Sequence, residues 1–161
     1  ATVGGSVFGR FGFSDVLTLL LVMDSYVELY KGGIVPLADF VNTPYDRDIL
    51  VRVIVKKTAA HYSYKSVRIS KTDFPVLTCA AALTQEGVQA AVGARPAKAA
   101  LVKDAEQLAT LPMTAEKAQA FAEYAAGLLP TETNPRGSAA YRTHLIKVLT
   151  ARCLTELGGK A

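Results

Sequence analysis

The sequence has no tryptophan and only two cysteines, Cys79 and Cys153, and two histidines, His61 and His144. Two widely separated cysteines cannot form a disulfide framework, an iron–sulfur site or a zinc knuckle. Neither histidine has a carboxylate at the spacing of a catalytic triad or a metal site, so both are predicted to be surface or structural residues. The sequence therefore predicts no metal site and no catalytic residue, and we expect both thiols to be buried and inert.

Charge of one sign and long apolar runs are also scarce. The 161 residues carry 18 Lys and Arg against 14 Asp and Glu, a net charge of +4 without a basic run, which argues against a nucleic-acid partner. The longest apolar stretch, 19–23 with 16–18 before it, is much shorter than the roughly 20 residues of a membrane span. We expect no nucleic acid, no membrane span and, from the low cysteine content, a cytoplasmic protein.

What remains is the composition of a folded protein, with 50% hydrophobic and 20% charged residues. Residues 1–58 predict a small α/β piece. Ser14 and Asp15 precede an apolar run and indicate a helix start. Alternating or β-branched runs then predict strands at 26–30, 34–36 and 49–55, with a short helix at 37–41.

Residues 59–161 predict a second module. Strand patterns occur at 61–70, 74–83, 88–94 and 97–102. Thr114 is the predicted cap of a helix that Pro130 stops, and a longer helix begins near Ser138. The predicted fold class is α+β: a partial α/β subdomain, then an antiparallel sheet packed against C-terminal helices.

Possible binding chemistry is concentrated near the start of the chain. Adjacent glycines within TVGGS at 2–6 allow backbone amides to approach a phosphate, although a plain turn between strands has the same pattern. Asp15 follows at a helix start, where a carboxylate is usually a cap but could also accept hydrogen bonds from a ribose or an adenine. No nucleophile elbow, Walker loop or full dinucleotide fingerprint occurs, so the residues indicate a ligand-binding or scaffold domain.

Several segments, in order along the chain, resemble the FAD-binding subunit of molybdenum hydroxylases, the family of xanthine dehydrogenase and carbon monoxide dehydrogenase. The segments are TVGGS at 2–6, FSDV at 13–16, VEL at 27–29, VPLADF at 35–40, DILV at 48–51, VGARPAKA at 92–99 and RGSAAYR at 136–142. The resemblance implies the second half of the FAD-binding fold at 1–58 and the flavoprotein C-terminal domain at 59–161.

The resemblance also implies an oxidoreductase component that relays electrons. Iron–sulfur clusters reduced at a molybdopterin centre pass electrons to FAD, which passes them to NAD or another acceptor. The implied partners are an iron–sulfur subunit and a large molybdopterin subunit. The implied FAD-binding residues are, at the pyrophosphate, Thr2, Gly4, Gly5 and Ser6; near the nucleotide, Asp15; and beside the flavin ring, Leu50 and Lys65.

Two departures from the family pattern shape the expectations. Ser6 stands where the family commonly has asparagine, and no earlier Gly-rich loop precedes Thr2 in the sequence. We therefore expect a fragment that lacks the first FAD subdomain, is inactive by itself, and purifies without colour because half of the site is missing. The alternative is a non-enzymatic scaffold that docks subunits without binding flavin.

The RGSAAYR segment leads to a further expectation. Ser138 is predicted to cap the final helix, and Arg136 is predicted to tie the start of that helix to neighbouring structure through a carboxylate or backbone carbonyls. We expect this role to be structural, so that loss of the Arg136 side chain lowers stability without affecting flavin affinity.

Overall fold

A computed structural model describes residues 2–159. In chain order its elements are α1 (Val3–Phe8), α2 (Asp15–Leu21), β1 (Ser25–Leu29), β2 (Gly33–Pro36), α3 (Leu37–Phe40), β3 (Leu50–Val55), β4 (His61–Val67), β5 (Leu77–Thr84), β6 (Gly87–Gly93), β7 (Ala100–Lys103), α4 (Ala115–Leu128) and α5 (Ala139–Gly158). The strands form two antiparallel sheets, in the orders β2-β1-β3 and β4-β5-β6-β7. The predicted α+β class is confirmed.

The four-stranded sheet lies at the centre of the molecule. Its central strands, β5 and β6, are rich in alanine, and small side chains allow other elements to pack closely on both faces. On one face, the buried side chains of α4 and α5, including Phe121, Ile146 and Leu154, pack against the sheet in a single apolar cluster. The predicted sheet with C-terminal helices on one side is therefore present.

The opposite face of this sheet is covered by the first part of the chain. Val27 of β1 and Leu17 of α2 belong to a second apolar cluster that includes Ala80 and Ala91 of the four-stranded sheet. The two parts of the chain thus share a core. The connection between the two sheets lies at 56–60, close to the division that the sequence predicted at residue 58, and the division itself stays a prediction.

A close approach on this face depends on a glycine. Thr18 of α2 and Thr78 of β5 share a buried hydrogen bond, with 2.9 Å between their hydroxyl oxygens. A Cβ atom on Gly93 would lie 2.5 Å from the Thr18 Oγ1 and 2.6 Å from the Thr78 Oγ1. A side chain at Gly93 would therefore separate α2 from the sheet.

The predicted helix caps form the expected local bonds. The Oγ atom of Ser14 accepts from the Leu17 amide at 3.1 Å, that of Thr114 from the Lys117 amide at 3.3 Å, and that of Ser138 from the Tyr141 amide at 3.1 Å. Each bond satisfies one of the amides that a helix start leaves without an intrahelical partner.

The isolated side chains also lie where the sequence predicted. Cys79 and Cys153 are free and buried, and His61 and His144 are exposed. Within residues 2–159, no group of three or more His, Cys, Asp or Glu side chains could hold a metal ion. None of the helices in that range combines the length and apolar character needed to cross a bilayer.

Candidate functional site

The TVGGS segment forms the first turn of α1 rather than an extended loop. Thr2 is the cap of this helix, and its Oγ1 accepts from the Gly5 amide at 3.1 Å. The first intrahelical bond runs from the Ser6 amide to the Thr2 carbonyl, so the amides of Val3 and Gly4 precede the hydrogen-bonded part of the helix. This turn is mostly exposed, and its amides and dipole favour a negatively charged group.

The two glycines keep this turn narrow. A Cβ atom on Gly5 would lie 3.0 Å from the Thr2 Oγ1, which is tighter than ordinary contact, so the glycine leaves room for the cap. A Cβ atom on Gly4 would lie 3.9 Å from the Leu50 Cδ2. Leu50, the first residue of β3, therefore lies beside the turn, although the two segments are far apart in the chain.

The other end of α1 anchors the turn to the core. Val7 is fully buried, and Arg10, only 5% exposed, stacks on two rings, with its guanidinium carbon 3.9 Å from the centroid of Phe40 and 4.7 Å from that of Tyr45. The Tyr45 hydroxyl donates to the Gly9 carbonyl. With its C-terminal end fixed in this way, α1 presents its N-terminal turn to solvent.

Asp15 does not cap α2, because Ser14 does. Its carboxylate instead accepts two 2.6 Å bonds from the Arg68 guanidinium and one from the Tyr64 hydroxyl. The bond to Asp15 raises the pKa of Arg68, and burial followed by the bond to Asp15 raises the pKa of Tyr64 well above its usual range. Nothing near Asp15 in the sequence indicates Arg68 as its partner, because the two residues meet only when α2 packs against the sheet.

Lys65 lies on the other face of the four-stranded sheet. Neighbouring residues of a strand point to opposite faces, so Tyr64 faces α2 while Lys65 faces α5. The Lys65 Nζ lies 2.7 Å from the Glu156 Oε2, and this hydrogen bond raises the pKa of Lys65. The structure therefore brings Leu50 to Gly4 but does not bring Lys65 to Asp15.

The RGSAAYR segment contains, besides Arg136, a buried arginine at position 142 that was not among the predicted functional residues. Arg136 bonds to Asp73 at 3.0 Å and lies near the Phe74 ring, but its side chain is 37% exposed. Arg142 is 1% exposed and donates to the carbonyls of Val76 and Glu132 and to the Asn134 Oδ1. The sequence does indicate that position 142 is buried, because its helical spacing places it on the same face of α5 as Leu145 and Leu149.

These residues are compatible with a flavin dinucleotide. The α1 turn offers exposed amides free of bulky side chains, Leu50 offers an apolar surface beside it, and Asp15 offers a carboxylate that is 43% exposed. An anionic group at the turn and an apolar ring beside it match these surfaces.

Comparison with known proteins identifies the second part of the chain. Residues 62–157 match the family described as the CO dehydrogenase flavoprotein C-terminal domain. YgfM, an uncharacterised protein of Escherichia coli K12, is 28% identical over 152 residues, which are 94% of this chain and 56% of YgfM. The chain thus spans about half the length of the curated relatives it matches.

Solved structures share the fold over the whole chain. Quinoline 2-oxidoreductase from Pseudomonas putida 86 is 22% identical with a TM-score of 0.80, and the match covers 100% of this chain and 61% of that one. A carbon monoxide dehydrogenase from Hydrogenophaga pseudoflava, described as lacking the Mo-pyranopterin moiety of its molybdenum cofactor, is 19% identical with a TM-score of 0.85, with 100% and 62% covered. The chain therefore belongs to the CO dehydrogenase flavoprotein family, whose C-terminal domain it carries at residues 62–157.

Proposed function

We propose that this chain is the FAD-holding, electron-relaying part of a molybdenum hydroxylase-type oxidoreductase in the cytoplasm. The observation that carries the proposal is the proximity of Gly4 and Leu50: a Cβ atom on Gly4 would lie 3.9 Å from the Leu50 Cδ2. The resemblance assigned these residues from separate motifs, one to the pyrophosphate and one to the flavin ring. Their proximity is what a single cofactor that touches both segments requires.

In this proposal the α1 turn holds the pyrophosphate. The amides of Val3 and Gly4 donate to phosphate oxygens, and the Thr2 and Ser6 hydroxyls add donors at the edges of the turn. Gly4 and Gly5 allow the phosphates to approach the backbone. The short Ser6 side chain replaces the longer asparagine of the family, so its hydroxyl contributes a contact close to the backbone.

Leu50 and Asp15 orient the remainder of the cofactor. Leu50 provides apolar contact for one part of the ring and excludes water there. Asp15, held by Arg68 and Tyr64, keeps a fixed carboxylate that accepts from a ribose hydroxyl. Lys65 is bonded to Glu156, so any contact of Lys65 with the ring competes with that ion pair. Its assignment to the flavin stays a prediction.

FAD, when bound, takes up electrons and passes them to the next carrier. The supply and removal of electrons require partners. We propose an iron–sulfur subunit and a large molybdopterin subunit as the source, and NAD or another soluble acceptor as the destination. The family membership and the shared fold with carbon monoxide dehydrogenase support this arrangement.

The proposal can be tested on the complex that contains this chain, purified from its own cells. FAD, iron and molybdenum are measured per copy of the chain. We expect all three to be present in the complex, and we expect Gly4→Val to reduce the FAD content about tenfold, because the added methyl groups block the phosphate approach and contact Leu50.

Gly127→Val is the matched control, since Gly127 is exposed within α4 and a Cβ atom there meets nothing within 4 Å. This variant should retain FAD. A complex that contains no FAD, or a Gly4→Val complex with the full FAD content, would contradict the proposal. The first result would favour the scaffold without flavin.

A further inference from the structure

A cleft separate from the α1 turn lies between the two sheets. Its volume is about 490 Å³, within the roughly 300–1,000 Å³ of small-ligand sites. It is lined by the start of β1, the start of β4 and the β5–β6 hairpin, whereas Leu50 lies at the opposite end of β3 from the segment that borders the cleft. None of the residues implied in FAD binding lines it.

The walls of the cleft combine apolar and polar side chains. Leu21, Leu37 and Leu101 contribute aliphatic surface, and Tyr26 and Tyr62 also line the cleft. Both tyrosine hydroxyls already have hydrogen-bond partners within the protein. The Lys56 Nζ donates to the Tyr26 hydroxyl at 3.1 Å, and the Tyr62 hydroxyl lies 2.9 Å from the Thr58 Oγ1. The Tyr62 ring is thus held in place, whereas one face of the Tyr26 ring is covered by the Lys56 ammonium, 4.3 Å from the ring centroid.

Ser25 is the unsatisfied polar group of this cleft. It is 6% exposed, and within residues 2–159 its buried hydroxyl has no hydrogen-bond partner. Along β1, Ser25 alternates with the buried Val27, so its side chain points to the inner face, where the cleft lies. A buried hydroxyl without a partner is unfavourable, and a ligand with one polar group would satisfy it.

The charges around the cleft are balanced. Asp24 and Glu86 line it, and each carboxylate has a lysine ammonium 3.9 Å away, from Lys56 and Lys103 respectively. A charged ligand would therefore find no unpaired opposite charge. The cleft selects for a neutral molecule.

We propose that this cleft binds small, neutral aromatic compounds that carry one hydrogen-bonding group, with that group on the Ser25 hydroxyl and the ring against Tyr62 and the leucines. The site is independent of the flavin proposal, because it shares no residue with it. Phenol is the smallest probe with the required features, and toluene is its apolar counterpart.

The test follows the methyl resonances of Leu101 in the 161-residue protein during titration with phenol, toluene, benzoate and benzylamine. We expect phenol to bind about fivefold more tightly than toluene, the contribution of one hydrogen bond, and both to bind more tightly than the charged probes. In Ser25→Ala the advantage of phenol over toluene should disappear. Because the Ser25 hydroxyl has no partner, this variant should fold as stably as the parent protein.

Ala59→Trp fills the cleft from its exposed rim and should abolish the binding of both neutral probes. Ala120→Trp, at an exposed position of α4, is the matched control and should leave both affinities unchanged. The proposal is overturned if phenol does not shift the Leu101 resonances, if its affinity is the same in Ser25→Ala or Ala59→Trp, or if a charged probe binds more tightly than phenol.

Discussion

Replacement of Arg142 by methionine tests how the final helix is joined to the sheet. The Arg142 guanidinium donates three hydrogen bonds, from Nε to the Val76 carbonyl at 3.1 Å, from Nη1 to the Glu132 carbonyl at 3.0 Å and from Nη2 to the Asn134 Oδ1 at 2.6 Å. One charged group thereby connects the start of β5 and the turn before α5. Methionine retains much of the apolar volume and removes every donor.

The expected loss of stability is large because the three acceptors of the Arg142 guanidinium remain in the folded protein without a donor. Hydrogen bonds from a charged group contribute about 1.5–3 kcal/mol each, and buried acceptors left without a partner add a desolvation cost. Since the lost bonds are not independent, we expect Arg142→Met to reduce the free energy of unfolding by about 4 kcal/mol. In a chain of this size, that corresponds to a fall in melting temperature of about 8–16 °C.

Urea unfolding followed by circular dichroism measures this difference, and Arg136→Met is the matched control. Arg136 makes one ion pair with Asp73 and is 37% exposed, so its loss should cost only about 0.5–1 kcal/mol. The predicted bond of Arg136 to a carboxylate is present, on a side chain that is partly exposed. If Arg142→Met is no less stable than Arg136→Met, the assignment of the structural role to Arg142 is wrong.

Three further results are expected. Because the pKa of Tyr64 is raised in the folded protein, the unfolded chain loses this proton first as the pH rises through about 10, and the free energy of unfolding should fall above that pH. Tyr64→Phe should show a smaller fall in urea unfolding at alkaline pH. The same dependence of the free energy of unfolding on pH in both proteins would refute this. Two buried nitrogens of Arg10 have no hydrogen-bond partner within residues 2–159, and this cost offsets the stacking of Arg10 on Phe40 and its bond to Thr43. Arg10→Met should therefore change the free energy of unfolding by less than about 1 kcal/mol, and a loss like that of Arg142→Met would contradict the contrast between the two arginines. The hydrogen bond with Cys153 and burial raise the pKa of Cys79, and the same bond lowers the pKa of Cys153. Because both thiols are fully buried, neither should react with a disulfide reagent until the protein is denatured, whereas reaction of the native protein would show that the core opens.

The helix starts could be predicted from sequence because their signals are local. Ser14, Thr114 and Ser138 each bond to an amide three residues further on, so the sequence around each cap contains both partners. The strands of the second sheet could also be predicted: β4 from the alternation of polar and apolar residues, and β5, β6 and β7 from apolar runs beside Gly or Pro residues. Both kinds of prediction were confirmed with small shifts of the boundaries.

The start of the chain was harder to predict because its helix depends on tertiary contacts. Two glycines in six residues make VGGSVF a poor helix former in isolation. Burial of Val7 and stacking of Arg10 on Phe40 fix the end of α1, and the Thr2 cap fixes its start. The sequence pattern therefore indicated a loop where the structure has a helical turn.

Partners that lie far apart in the chain could not be predicted from either segment alone. Arg68 forms an ion pair with Asp15 where α2 packs on the sheet, and Glu156 forms one with Lys65 where α5 packs on the sheet. Strand alternation predicts that Tyr64 and Lys65 lie on opposite faces of the four-stranded sheet, but only the fold decides which of these faces packs against α2. For the same reason the sequence left open whether Asp15 was a cap or a binding residue.

Photolabelling with an FAD analogue that carries an azide on its ring tests the central claim most directly. In the FAD-containing complex, light attaches the ring to the residue beside it, and trypsin then releases Leu50 within the peptide 48–52, which ends at Arg52. We predict label on that peptide and its loss when excess FAD is added. Label confined to peptides of α5, or label on 48–52 that excess FAD does not reduce, would contradict the placement of the flavin beside Leu50.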